Sequence, residues 1–192
     1  MYSNESGYNR RVKIVDFLYL STLLYGFSQF YSIKLWIAYP IFFIISYSIV
    51  LDWRSAVAMA NTGRFMYMVF DLLTIFNYFG LVNNLLLMND YNSRHFKLFI
   101  FHYALVFFIY VAWNIAILIS NKKQTNKRTK SFFNWFNVMG GVAFLLCLAC
   151  ILQGVLYALS VCGIITIVIV ILSIHTTELL IWTYKTYLKK DT

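Results

Sequence analysis

Six long apolar stretches dominate this sequence, and they contain almost no charged side chains. None of the six holds a lysine or arginine, and none holds more than one acidic residue. A helix that crosses the roughly 30 Å hydrocarbon layer of a bilayer needs about 20 mostly apolar residues, because an unpaired peptide group there costs several kcal/mol. We therefore predict six membrane-spanning helices, at residues 14–31, 35–51, 65–88, 98–119, 133–155 and 158–182.

The composition excludes the other broad classes of protein. Charged residues make up 12% of the chain and apolar and aromatic residues 61%, with a mean hydropathy of +0.69. A soluble domain carries roughly 25% charged residues. Disorder is excluded too, because a chain this apolar buries enough surface to offset its conformational entropy. We predict an all-α, polytopic membrane bundle that forms a single transmembrane domain over residues 1–192.

The first predicted hairpin leaves room for a different number of spans. Only the Ser32-Ile33-Lys34 step and Pro40 separate the first two apolar stretches, so four or five spans are the alternatives to six. Proline is tolerated in the first turn of a helix, where its missing N–H would have no intrahelical partner. The apolar run at 132–183 is about twice as long as one crossing needs. It is expected to turn near Gln153-Gly154 or near Ser160.

The basic residues indicate the orientation, because short loops rich in lysine and arginine stay in the cytoplasm. With six spans and a cytoplasmic N-terminus, all but Lys34, Arg94 and Lys97 of the 16 basic side chains lie inside. The predicted topology is three hairpins with both termini in the cytoplasm, joined by cytoplasmic connections at 52–64 and 120–132. The first connection is predicted to form a short interfacial helix. The net charge of +9 is thus a topology signal, and no nucleic-acid partner is expected.

The second connection is strongly basic and has no apolar anchor. Its basic residues are Lys122, Lys123, Lys127, Arg128 and Lys130. The plainer interpretation is a loop that fixes the topology. The alternative is a docking surface for anionic lipid or an acidic cytosolic protein, since each basic residue near an anionic surface contributes about 1 kcal/mol.

Polar residues inside the predicted spans form the candidate functional site. Ionisable residues at membrane depth cost free energy and usually face the interior of a bundle. At 1.5 Å per residue, the acidic residues of the third and sixth spans lie roughly 10 Å from the inner basic boundary. Four helices contribute a carboxylate or carboxamide at this depth: Asp71, Asn114, Asn137 and Glu178.

Four further residues extend this polar belt. His175 lies three residues before Glu178 on the same helix face, and Asp16 lies near the start of the first span. Asn77 and Asn84 lie seven residues apart and continue a polar stripe along the third span. Two interpretations stay open. The belt either joins helices by hydrogen bonds worth roughly 0.6–2 kcal/mol each, or it lines a pathway for a cation or proton.

The segment from Cys147 to Cys150 has the C-x-x-C spacing of thiol oxidoreductases. A membrane enzyme that passes electrons to a quinone is therefore the weaker, enzymatic alternative. A disulfide inside a regular helix would be strained, and cysteine is also a common small packing residue. The sequence contains no H-E-x-x-H pair, no glycine-rich phosphate loop and no G-x-S-x-G motif. We therefore expect no metal site, no cofactor and no hydrolase.

These observations favour a non-enzymatic membrane module that forms homo-oligomers in the bacterial inner membrane as a pore, anchor or sensor. Its basic inner face would contact a cytosolic partner. Many Phe, Tyr, Ile, Asn and Lys residues indicate an A/T-rich gene, typical of low-GC bacteria and of acquired cassettes such as anti-phage defence operons. The alternative is a small secondary transporter or channel for a cation, proton or small metabolite that uses Asp71 and Glu178.

Overall fold

The computed structural model describes residues 3–60, 65–90, 93–120, 137–149 and 161–184. Throughout these residues the regular structure is helical, which confirms the prediction of an all-α chain. The six helices are α1 (Ser3–Ser28), α2 (Ala38–Ala60), α3 (Phe65–Leu87), α4 (Arg94–Ser120), α5 (Asn137–Ala149) and α6 (Val161–Thr183). A 3-10 turn at Phe30–Ser32 lies between α1 and α2.

Three helices in the described part of the chain are long and apolar enough to cross a membrane. They are Val69–Leu87, Arg94–Ala116 and Thr166–Thr183, which lie within α3, α4 and α6. Their positions correspond to the third, fourth and sixth predicted spans. Helix α5 is apolar as well, but its described residues are too few for one crossing. The chain is therefore compatible with a membrane protein, and the full set of six spans stays a prediction.

Helix α2 extends beyond its predicted boundary, because it runs unbroken from Ala38 to Ala60. Pro40 is its third residue, within the first turn, where a proline ring is tolerated. Residues 52–60 are the last turns of α2, so they form no separate interfacial helix. The predicted span ends at residue 51, directly before the acidic residue Asp52. An acidic side chain does not by itself end a helix, and Asp52 Oδ2 accepts a hydrogen bond here from the hydroxyl of Tyr78 of α3.

The chain divides into two compact units, Met1–His102 and Tyr103–Thr192, with the division inside α4. In the first unit, α1, α2 and α3 pack against one another in pairs. Its largest fully buried side chains include Tyr19, Phe42, Tyr78, Leu81 and Leu85. The single transmembrane domain stays a prediction.

In the second unit, both α5 and α6 contact the C-terminal part of α4. The ring centroids of Phe108 and Phe144 lie 5.9 Å apart. Tyr103 of α4 likewise contacts His175 of α6, with ring centroids 5.4 Å apart. Buried side chains at this centre include Phe107, Ala143, Cys147 and Ile171.

Large apolar side chains also cover the outward faces of the helices. Phe17, Leu24, Phe76, Phe108, Leu145 and Leu180 are each more than half exposed. Water-soluble monomers rarely expose apolar surface on this scale. Such faces fit a hydrocarbon environment, in agreement with the long apolar helices.

Candidate functional site

Two histidines of α4 contact two asparagines of α3. His102 Nδ1 lies 3.1 Å from Asn77 Oδ1, and His95 Nδ1 lies 3.1 Å from Asn84 Oδ1. The two contacts are separated by seven residues on both helices, which run in opposite directions. Seven residues are close to two helical turns, so both contacts fall on the same face of each helix. We call these two pairs the His–Asn ladder.

The asparagines of the ladder also bond to their own helix. Asn77 Nδ2 donates to the carbonyl of Leu73 at 2.7 Å, and Asn84 Nδ2 donates to the carbonyl of Gly80 at 2.8 Å. Because each amide nitrogen is engaged there, the amide oxygen faces the histidine. The histidine Nδ1 must then carry the proton and act as the donor. Asn77 and Asn84 are buried, so the ladder joins α3 to α4 inside the first unit.

Gly80 leaves the space that the His102 ring occupies. A Cβ atom built on Gly80 would lie 2.5 Å from both Cε1 and Nε2 of His102. We expect Gly80→Ala to displace the imidazole, to break its bond to Asn77 and to lower the free energy of unfolding by about 1–3 kcal/mol. Thermal unfolding in detergent measures this loss.

Gly141→Ala is the matched control, because a Cβ there meets nothing within 4 Å. Alanine is a better helix former than glycine by about 1 kcal/mol, so this control should unfold at the same or a higher temperature. An unchanged unfolding temperature in Gly80→Ala would contradict the importance of the ladder.

The first unit also buries two carboxylates near each other. Asp52 of α2 and Asp71 of α3 are only 8% and 6% exposed, and a negative charge on Asp52 acts electrostatically on Asp71. Tyr78 donates a hydrogen bond of 2.6 Å from its hydroxyl to Asp52 Oδ2. Tyr19 of α1 is buried and interacts electrostatically with both carboxylates. Asp52, Asp71, Tyr19 and Tyr78 therefore form one buried acidic cluster between three helices.

Asp16 lies in the same unit and has its own partner. Trp53 Nε1 donates a hydrogen bond of 2.6 Å to Asp16 Oδ1, which joins α2 to α1. A similar bond joins α1 to α3, where the hydroxyl of Tyr25 donates to Asn83 Oδ1 at 2.6 Å. Each of these polar side chains thus links two helices of the unit.

A second buried cluster lies in the second unit and involves three helices. The hydroxyl of Tyr103 and Nδ1 of His175 are hydrogen-bonded, and both side chains are buried. The ring of Phe107 packs against this pair, with centroids 5.2 Å from Tyr103 and 5.6 Å from His175. Cys147 of α5 and Glu178 of α6 interact electrostatically with Tyr103. We call Tyr103, Cys147, His175 and Glu178 the Glu178 cluster.

Glu178 holds the least satisfied atom of this cluster. Its side chain is 5% exposed, and Oε1 has no hydrogen-bond partner among the residues that the structure describes. Burying a carboxylate without a partner is expensive, and most buried polar atoms in proteins are bonded. Ionisable groups in such positions inside membrane helices are usually functional. The geometry therefore singles out Glu178 as the strongest candidate site residue.

The predicted polar belt is divided between the two units. Asp16, Asp71, Asn77 and Asn84 lie in the first unit, whereas Asn114, Asn137, His175 and Glu178 lie in the second. His175 and Glu178 are both buried on α6, as their spacing predicts. Asn114 is half-buried, and Asn137 Oδ1 is buried without a hydrogen-bond partner in the described part of the chain. The prediction that the polar belt lies at one depth within the membrane stays a prediction.

Several predicted features lie outside the described residues. These are the basic residues Lys122, Lys123, Lys127, Arg128 and Lys130, the turn near Gln153-Gly154 or Ser160, and Cys150. Cys147 itself is buried, and the described residues hold no disulfide to it. Within those same residues, no group of three His, Cys, Asp or Glu side chains is arranged to hold a metal ion.

The sequence analysis missed six residues of these arrangements: Tyr19, Asp52, Tyr78, His95, His102 and Tyr103. A signal existed for the two histidines, because their spacing of seven equals that of Asn77 and Asn84. No comparable signal marks Tyr103, which is one of 15 tyrosines in the chain.

Fold and site together define an all-α protein with helices long enough to span a membrane and with two buried polar clusters. The chain matches no protein-family model, no curated protein and no solved structure.

Proposed function

We propose that this chain is a six-span integral protein of the bacterial inner membrane, built as three hairpins with both termini in the cytoplasm. Three long apolar helices and the exposed apolar side chains support a membrane location. The orientation is supported by the basic residues, of which only Lys34, Arg94 and Lys97 fall in the proposed outer segments.

Labelling with a membrane-impermeant thiol reagent tests this topology. Single cysteines are introduced at Ser93, before α4, and at Asn126, within the basic connection, after the three native cysteines are replaced. We expect Ser93→Cys to react in intact spheroplasts and Asn126→Cys to react only after lysis. The reverse pattern, or labelling of both from outside, would contradict the six-span arrangement.

For the activity, we propose a small secondary transporter or channel that moves a proton or small cation, without enzymatic chemistry. The observation that carries this proposal is the buried, unpartnered Oε1 of Glu178. The two buried carboxyl groups of the acidic cluster, Asp52 and Asp71, give it further support. Carboxyl groups within membrane helices commonly mark ion pathways and proton relays.

Flux measurements in proteoliposomes test this activity. We expect Glu178→Gln and Asp71→Asn to abolish proton or cation flux, because an amide cannot take up and release the ion. Asp90→Asn is the matched control, since it makes the same carboxyl-to-amide change at an exposed position. Full flux in folded Glu178→Gln and folded Asp71→Asn would contradict the proposed transport activity.

A second candidate is a homo-oligomeric pore, anchor or sensor module coupled to a cytosolic partner. It is favoured by the density of positive charge between residues 122 and 130. Replacing the five basic residues of this segment with alanine should release a co-purifying soluble protein if this candidate is right. Under the same candidate, Glu178→Gln and Asp71→Asn would leave that protein bound.

A further inference from the structure

We propose that Glu178 binds a proton rather than a metal cation, with Tyr103 and His175 as positioning residues. This inference rests on the proposed transport function and names the ion for one of its sites. The described residues of the second unit distinguish the two kinds of ion, because Glu178 is their only carboxyl group and its Oε1 has no hydrogen-bond partner among them.

The ligands that the described residues place around Glu178 are too few for a metal cation. Calcium takes six to eight oxygen ligands, and magnesium takes six in a near-octahedral arrangement. Glu178 supplies one carboxyl group, whereas the hydroxyl of Tyr103 is bonded to His175. The thiol of Cys147, which interacts with Tyr103, and the ring of Phe107, which packs against Tyr103 and His175, are also in this cluster, and neither suits a hard cation. A proton, in contrast, needs one oxygen, and Oε1 of Glu178 is unpartnered in the described residues.

The charges of the described residues of this unit lead to the same conclusion. Within residues 103–120, 137–149 and 161–184, Glu178 is the only carboxyl group, and there is no lysine or arginine. Among the described residues, the other titratable groups of this cluster are Tyr103 on α4, which interacts electrostatically with Glu178, Cys147 on α5, which interacts with Tyr103, and His175 on α6. An ionised Glu178 would therefore lack a permanent counter-charge in this part of the protein. A bound proton removes the charge and with it most of the free-energy cost of burial.

The proposed step is a reversible protonation. A proton from water on one side forms the O–H bond of the Glu178 carboxyl, which becomes neutral. Release breaks that bond and returns the proton to water, leaving the carboxylate. The hydrogen bond between Tyr103 and His175 holds the imidazole in one orientation beside Glu178 during both steps. His175 thereby shapes the surroundings of the carboxyl without exchanging a proton of its own.

Infrared spectroscopy of the full-length protein in detergent tests this proposal. The carbonyl stretch of a protonated carboxyl is separate from the bands of a carboxylate, so the spectra are recorded over the pH range in which the protein stays folded. We expect a protonated-carboxyl band that disappears in Glu178→Gln, shifts in Glu178→Asp and persists in Asp90→Asn. Spectra in which wild type and Glu178→Gln agree at every pH would overturn the proposal, since Glu178 would then never hold the proton.

Two further measurements separate the possible failures. The titration is repeated with sodium, potassium or choline as the only added cation. An unchanged midpoint is expected for a proton site, whereas a midpoint that moves with sodium or potassium shows competition by a metal cation and overturns the inference.

Tyr103→Phe keeps the ring but removes the hydroxyl, and it should shift the midpoint of the Glu178 titration. An unmoved midpoint would exclude Tyr103 as a positioning residue. Proton binding without any flux would contradict the proposed transport function alone.

Discussion

Replacing Glu178 with leucine is expected to raise the unfolding temperature of the protein and at the same time to abolish its ion flux. Glu178 is 5% exposed, and its Oε1 lacks a hydrogen-bond partner within the described residues. An unsatisfied buried polar group costs about 1–3 kcal/mol, and an apolar side chain of similar size removes that cost. Thermal unfolding in detergent and flux in proteoliposomes measure the two effects on the same preparation.

The opposite signs of these two effects distinguish a functional site from helix-joining hydrogen bonds. A residue that mainly joins helices contributes to stability, so its replacement by leucine should lower the unfolding temperature. Glu178→Gln is the control, because it keeps a polar side chain and should lose the flux without a similar gain in stability. A lower unfolding temperature together with full flux in Glu178→Leu would mean that the carboxyl group stabilises the fold and takes no part in transport.

The sequence predicts the helices well because their signal is local. A run of apolar residues long enough to cross a bilayer is visible without knowing its neighbours, and α3, α4 and α6 correspond to such runs. The end of α2 is different, since Asp52 marks a boundary in the sequence and lies inside the helix in the structure. The hydroxyl that satisfies it comes from Tyr78, which is 26 residues away. Boundaries set by distant partners are therefore not readable from a local pattern.

The same distinction holds for the site residues, because the sequence shows their spacing along a helix but not the side chains they bond to. The spacing of Asn77 and Asn84 on one face, and of His175 and Glu178 on another, follows from helical periodicity alone. Their partners depend on the packing of a second helix. His102 reaches Asn77 only because Gly80 leaves room for its ring. A sequence shows that a polar side chain is on a face, but the register between two helices decides what that side chain bonds to.

Replacing Tyr78 with phenylalanine should destabilise the first unit more than any other loss of a single hydroxyl in it. Its hydroxyl donates to Asp52, a carboxylate that is 8% exposed and lies near Asp71. Hydrogen bonds to charged groups contribute about 1.5–3 kcal/mol, whereas neutral ones contribute about 0.5–1.5 kcal/mol. We therefore expect a clear drop in the unfolding temperature, measured by thermal unfolding of the purified protein in detergent.

Tyr25→Phe is the matched control for this variant, because it removes the same group from a bond of the same length to the neutral amide of Asn83. Its loss of stability should be about half as large. The repulsion between the carboxylates provides a second check, since Asp71→Asn should restore part of the stability that Tyr78→Phe removes. Contacting groups couple in this way by about 0.5–3 kcal/mol in a double-mutant cycle. Equal losses in the two tyrosine variants, with no rescue by Asp71→Asn, would mean that Asp52 carries no charge in the folded protein, and the acidic cluster would then offer no site for a cation.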